Sequence, residues 1–378
     1  MTDFLLRGAE VLGPDGLELI DLAVNDGQFG KDVPPDARVV DLSGYRVLPG
    51  IVDIHGDGFE RHLAPRRGVM KNFREGLRAV DADLAANGIT TATLAQFWSW
   101  EGGMRGPEHA VRLIEGLAEA SELRVDMRVQ LRFETHMLDD YGDVEALIDR
   151  GGIRYVVLND HLPHDALAKG KKPPRLTGQA LKGGRSPETH LAFMKSMHDR
   201  THEVPDALVG LVARLRAKGV IVGSHDDSTP DERSWFRSHG VNISEFPETA
   251  RTALAARDAG DHVILGAPNV VRGGSHAGKV SATELVQQGI GNALASDYHY
   301  PALRQAALGL ADRIGLERAW ALLSTGPAQI LGLPDRGRIE TGLRADFVVL
   351  DDLNRIAATF VKGQPAYMAG DVVARFLG

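Results

Sequence analysis

A histidine and an aspartate close the apolar run at 47–57, VLPGIVDIHGD, with one glycine between them. Side chains alternate faces along a strand, so His55 and Asp57 project together from its end. An imidazole and a carboxylate converging there suit a divalent metal ion; they could also simply hydrogen-bond. The pattern recurs down the chain. LRFETH ends in Glu134 and His136, and YVVLNDH in Asp160 and His161. VIVGSHDD ends in His225, Asp226 and Asp227, and NALASD in Asp297. One polar group after an apolar strand is usually a satisfied hydrogen bonder. Groups of ligand type on five strand ends point instead to a metal centre.

The chain has no cysteine. Any ligands are therefore nitrogen or oxygen, which suits Zn²⁺, Mn²⁺, Fe²⁺ or Ni²⁺ and excludes a thiolate site. The set exceeds the three protein ligands and a water that one catalytic ion uses. Two divalent ions are expected, zinc first, with manganese or iron as alternatives. Glu134 is the one glutamate in the set and the best bridge. Two ions ~3.5–4 Å apart bring the pKa of a bridging water towards ~7. Asp297 would bind one ion and act as the catalytic base on that hydroxide.

The elements that must position these groups are legible from hydrophobic pattern. Between 49 and 335, apolar strands alternate with helices. The helix after IVDIH places Phe73, Leu77, Val80 and Leu84 on one face. Helices near 142–150, 187–201 and 205–218 follow later strands, and Thr229-Pro230-Asp231-Glu232 is a helix start. Ser281 and Glu284 form a capping box. Eight such units predict an α/β fold of (β/α)₈ TIM-barrel type, with an open doubly wound sheet as the alternative. Catalytic groups of such barrels sit at the C-terminal ends of the strands, where every candidate above lies. Residues 1–48 and 336–378 read as short strands broken by glycine turns. Neither end can form a core alone, so both are expected to join in one small β-sandwich beside the barrel at 49–335.

The bulk properties exclude other classes. A net charge of -8 argues against nucleic acid as a partner. The first residues, MTDFLLRGAEVL, do not form a signal peptide, and no apolar run has the ~18 residues of a membrane span. A cytoplasmic protein with no membrane partner is the expectation; a homo-oligomer is left open.

With these residues in place, a resemblance is visible. VLPGIVDIHGD, the five strand ends and GRIETGLRADFVVLD near the C-terminus resemble the amidohydrolase superfamily. HGDGFERHLAPRRGV, GSHDDST, SEFPET, LGAPNVVRGGSHAGKVSATEL and ASDYHYPAL are similar to one group within it. That group is the alpha-D-ribose 1-methylphosphonate 5-triphosphate diphosphatases of the carbon–phosphorus lyase pathway. The resemblance implies a metal-dependent hydrolase releasing pyrophosphate from a phosphorylated sugar. It implies His55, Asp57, Glu134, His161, His225 and Asp297 as the metal ligands. Superfamily members usually read His-x-His on the first strand; Asp57 stands at the second position here, and its harder oxygen favours Mn²⁺ more than histidine would. His136 and Asp160 are read as orienting the ligands, and Asp226 and Asp227 as doing the same or setting the water. The chain departs from the group after His161, reading NDHLPHDALAKG where Pro-Gly-Gln is usual, and again at 169–185.

A triphosphate needs cations and backbone amides. The glycine-rich loop after the seventh strand offers Arg272, His276 and Lys279, and the first loop Arg66 and Arg67. Segment 169–185 carries Lys169, Lys171, Lys172, Arg175, Lys182 and Arg185. It is either a lid over a polyanion or a solvated insertion. The alternative activity is C–N bond hydrolysis of deacetylase or cyclic-amidase type. An apolar pocket with a single arginine would favour it; several basic residues at the mouth would favour phosphorus.

Overall fold

The strand that carries His55 runs Ile51–Gly56 (β1) and is buried along its whole length. The structure, a computed structural model, describes residues 3–33, 35–64, 72–273 and 281–377. Seven further strands follow in one sheet: Ile89–Trp98 (β2), Asp126–Glu134 (β3), Tyr155–Asn159 (β4), Ile221–His225 (β5), Ile243–Glu245 (β6), His262–Gly266 (β7) and Ala293–Ala295 (β8). The sheet runs in sequence order from β1 to β8. A parallel bridge between Gly56 and Asp297 brings the first and last strands together. The chain is thus an α/β protein built on a (β/α)₈ barrel, as the alternation predicted.

Local sequence explains the helices. Phe73–Ala86 starts where the Asn72 side chain accepts from the Arg74 N–H, and buries Leu77, Val80 and Leu84. It stops at Asn87-Gly88, where Gly88 takes a φ of 80° open to glycine. Thr229 caps Pro230–Ser238 by accepting from Glu232, and Ser281 caps Ala282–Gln287 by accepting from Glu284. Two readings change. Segment 169–185, for which the pattern predicted no element, contains Leu176–Lys182 as a helix, and the last residues form the helix Val372–Leu377 rather than a strand.

Packing divides the chain into two compact units. One comprises 1–93, 120–128 and 264–378. It contains both small sheets. Gln28–Gly30, Leu22–Asn25, Phe4–Arg7 and Arg38–Asp41 form a four-stranded sheet in that order. The second sheet has six strands, and in it Phe347–Leu350 pairs antiparallel with Arg46–Pro49. The two chain ends therefore share a sheet, over a core of Phe4, Val24, Phe29, Val47, Phe347, Phe360 and Phe376. Phe347 and Phe360 stack at 4.5 Å. The passage from this sheet to β1 turns at Gly50, whose N–H donates to the Asp346 carbonyl at 2.9 Å. A Cβ there would stand 2.4 Å from Thr90 Oγ1, so the crossover requires glycine. The other unit comprises 94–119 and 129–263 and holds β4, β5 and β6. No helix of the described residues is long and apolar enough to cross a membrane.

Candidate metal centre and substrate cavities

In the first unit, backbone pairing places three of the predicted ligands on one rim. The Asp297 N–H donates to the His55 carbonyl at 3.0 Å, and the Asp57 N–H donates to the Asp297 carbonyl at 2.9 Å. His55 is fully buried. Asp53, which the sequence reading passed over, anchors this rim. Its carboxylate accepts from the Ser296 N–H at 3.0 Å and from Ser296 Oγ at 2.6 Å. Burial raises the Asp53 carboxyl above its usual range, against the pull of those two bonds. A Cβ on Gly56 would stand 2.5 Å from Asp53 Oδ2, so the glycine between His55 and Asp57 is sterically required.

The second unit gathers Glu134, His161, His225 and Asp226. Glu134 is buried; its Oε1 lies 2.5 Å from His161 Nδ1. Its Oε2 accepts from the His161 N–H at 3.0 Å and from Trp100 Nε1 at 3.3 Å. Burial opposes charge on the His161 ring, but the Glu134 hydrogen bond and charge outweigh it and raise its pKa. His225 Nδ1 lies 3.1 Å from Asp226 Oδ2, and its Nε2 lies 3.0 Å from an Arg132 nitrogen. Ligand atoms of His161, His225 and Asp226 all lie within 4.8 Å of one another. Two imidazoles and a carboxylate at that spacing fit a borderline divalent ion.

Strand ends here share an unusual backbone. Asp226 and Phe246, each directly after a barrel strand, and Asp297, two residues after the last one, have φ of 58°, 52° and 53°. Non-glycine residues rarely adopt this region; aspartate tolerates it better than most, and a bulky phenylalanine is an outlier there. Such strain clusters where function over-determines the backbone. β6 and β8 have three residues each, the last one shorter than NALASD suggested.

Asp227 faces elsewhere than its neighbours. It is fully buried, accepts from Ser244 Oγ at 2.6 Å, and pairs with the buried Arg233 at 3.0 Å. Arg233 also lies 3.1 Å from Asp261 and donates to the Ile243 carbonyl at 3.0 Å. Removing one member of a buried ion pair costs about 3–5 kcal/mol, because the other charge is stranded. Asp227→Ala is therefore expected to lose that much stability in urea denaturation. Full stability with lost activity would instead assign Asp227 to the water. His136 and Asp160 face each other, Nδ1 3.4 Å from Oδ1, with His164 against the same carboxylate.

Two cavities of the second unit open on His161. The larger, about 570 Å³, is lined by His136, Asn159, Asp160, His225 and Asp226 and, on an apolar wall, by Val204, Leu208, Trp235 and Phe236. The smaller, about 380 Å³, is lined by Arg105, Arg132 and Arg175 with Phe97 and Glu101. The Phe97 ring carries Arg132 at 3.9 Å and Arg105 at 4.4 Å.

A sequence profile of the amidohydrolase family matches residues 288–371. Over 347 residues the chain is 32% identical to the alpha-D-ribose 1-methylphosphonate 5-triphosphate diphosphatase of Escherichia coli, covering 87% of this chain and 90% of that one. The chain belongs to the amidohydrolase superfamily. It is 24% identical to an allantoinase of Deinococcus radiodurans over 98% of this chain and 96% of that one. In fold, this amidohydrolase is similar to N-acetyl-D-glucosamine-6-phosphate deacetylase from Mycobacterium smegmatis, with a TM-score of 0.62 and 17% identity over 97% of this chain and 100% of that one. The chain is a hydrolase.

Several groups around the site of this amidohydrolase were not legible in advance. Arg105 and Arg132 lie on separate elements and both stack on Phe97. Glu245, at the end of β6 in register with His225, accepts from Gln130 at 2.6 Å and Tyr155 at 2.7 Å. A glutamate closing the alternating stretch VNISE at 241–245 was the available signal. Among the predicted cations, Arg272 is exposed in the first unit, its guanidinium 5.7 Å over the Tyr298 ring. Arg66, Arg67, His276 and Lys279 lie outside the described residues.

Proposed function

We propose that this hydrolase cleaves pyrophosphate from alpha-D-ribose 1-methylphosphonate 5-triphosphate or a similar phosphorylated sugar. The observation that carries this reading is the arginine-lined cavity beside His161. A triphosphate tail needs several cations held in place, and arginine's planar fork is the best match to phosphate oxygens. The 32% identity with the diphosphatase of Escherichia coli supports the same choice. Arg175 belongs to the segment 169–185, so that segment serves the cavity as a wall, in line with a lid over a polyanion.

His55, Asp57, Glu134, His161, His225 and Asp297 are the proposed ligands of two divalent ions, zinc or manganese. When bound, such ions lower the pKa of a water and neutralise charge on the phosphoryl oxygens. Asp297 takes the proton of the attacking water, while Glu134 orients His161. The arginines hold the departing pyrophosphate, which leaves without being protonated. We assign this chemistry to a barrel at 49–335 and the sandwich to 1–48 and 336–378, a division supported by the crossover at Gly50.

The apolar wall of Val204, Leu208, Trp235 and Phe236 favours a second reading, C–N hydrolysis of an uncharged amide. A substrate panel separates the two. With added Zn²⁺ or Mn²⁺, the sugar triphosphate is expected to release pyrophosphate, with N-acyl and cyclic-amide compounds far slower. The reverse order would sink the phosphorus reading. Hydrogen bonds to charged groups contribute about 1.5–3 kcal/mol. Arg175 is exposed, which puts it at the lower end. Arg175→Ala should thus raise KM for the triphosphate about tenfold and leave KM for a neutral amide unchanged.

A further inference from the structure

We propose that His136, Asp160 and His164 form a cation site of their own, of the zinc type, that shares no residue with the ligand set above. His136 Nδ1 lies 3.4 Å from Asp160 Oδ1. His164 Nε2 lies 3.1 Å from the same oxygen and 3.0 Å from Oδ2. All three ligand atoms fall within 4.8 Å of one another. Ligands about 2.0–2.2 Å from a tetrahedral ion stand roughly 3.3–3.6 Å apart, which the observed spacings approach.

The outer nitrogens of both rings have partners of their own. Thr201 Oγ1 donates to the His198 carbonyl at 2.6 Å, so it meets His136 Nε2, at 3.3 Å, as an acceptor. That places a proton of His136 on Nε2 and leaves Nδ1 facing Asp160, with Thr135 Oγ1 3.5 Å away. On His164, Nδ1 lies 2.7 Å from His198 Nδ1. In the tautomer that donates from Nδ1 to His198, the His164 ring offers Nε2 as a lone pair on the side of Asp160; without an ion that nitrogen instead donates to the carboxylate. With an ion bound, two imidazole nitrogens and a carboxylate would converge on it. Partners that hold the far nitrogen of a ring in this way are the usual companions of metal-ligating histidines.

A second observation points to the same place. Asn159, next to Asp160, is buried, and neither atom of its side-chain amide has a hydrogen-bond partner. It lines the 570 Å³ cavity together with His136 and Asp160. A divalent ion on Asp160 would turn that wall from negative to positive and would tether the residue next to His161. The wall would then attract an anionic group of a ligand in the cavity.

The test is metal stoichiometry in the intact chain, without substrate. The protein is purified without chelators, dialysed against Zn²⁺, and measured by elemental analysis; Co²⁺ titration followed by visible absorption gives the same count independently. Wild type is expected to hold one equivalent more than His164→Ala, and Asp160→Asn should lose the same equivalent. Glu134→Gln should keep it while losing metal from the other set, so failure of the proposed hydrolytic centre would not be mistaken for failure of this site. Thermal unfolding checks that both site variants fold. Equal metal content in wild type, His164→Ala and Asp160→Asn would leave a hydrogen-bonded cluster and overturn the proposal. Loss of all metal in His164→Ala would overturn its independence.

Discussion

Asp297→Asn is expected to lower turnover by about 10²–10⁴-fold, the usual contribution of a positioned general base. An amide has the shape of the carboxylate but cannot take a proton. The substitution should leave the surroundings intact for two reasons. Asparagine tolerates the left-handed backbone that Asp297 adopts at φ 53° as readily as aspartate does. The bonds that join this strand end to β1 run through the backbone, from the Asp297 N–H to His55 and from the Asp57 N–H to the Asp297 carbonyl. Metal content should therefore stay largely unchanged while kcat collapses. Steady-state kinetics beside elemental analysis decides it: a variant with near wild-type kcat means that another group takes the proton.

Glu134→Gln is expected to weaken metal binding by more than about 100-fold, with turnover falling alongside. Removing an outer partner of a metal ligand already costs about 10–100-fold in affinity, and Glu134 is proposed as a ligand itself. Its carboxylate is buried, and it contacts both the backbone N–H and the ring of His161. The neutral amide removes one negative charge from the site. It also removes the influence that holds the His161 pKa up, leaving burial to push it down. Glutamine keeps an oxygen for Trp100 Nε1, so the fold should survive. Competition with a chromogenic chelator measures the affinity. Retention of full metal at wild-type affinity would remove Glu134 from the ligand set.

The barrel and the shared sandwich were legible because they rest on local regularities. Strand runs and the Thr229 and Ser281 caps each act within a few residues, and each stands where the pattern placed it. The strand-end rule likewise located the candidate ligands without any knowledge of their neighbours. Segment 169–185 was harder. Its prolines and glycines mask the helix Leu176–Lys182, which buries only Leu176 and Ala180 and so leaves almost no periodic signal.

What the sequence by itself determined is which residue types stand at the ends of buried strands: His55, Asp57, Glu134, His161, His225 and Asp297. Alternation along a strand suffices for that. What only the tertiary structure decided is which of these polar groups meet. Asp226 turns to His225 while Asp227, one residue on, turns to Arg233 and Ser244 in the core. Arg105 and Arg132 converge on one phenylalanine from separate elements, and His164 reaches the carboxylate of Asp160 beside His136. The reason is physical: a partner is chosen by strand register, helix phase and the path of loops, and these follow from packing the whole chain rather than from any local stretch of it.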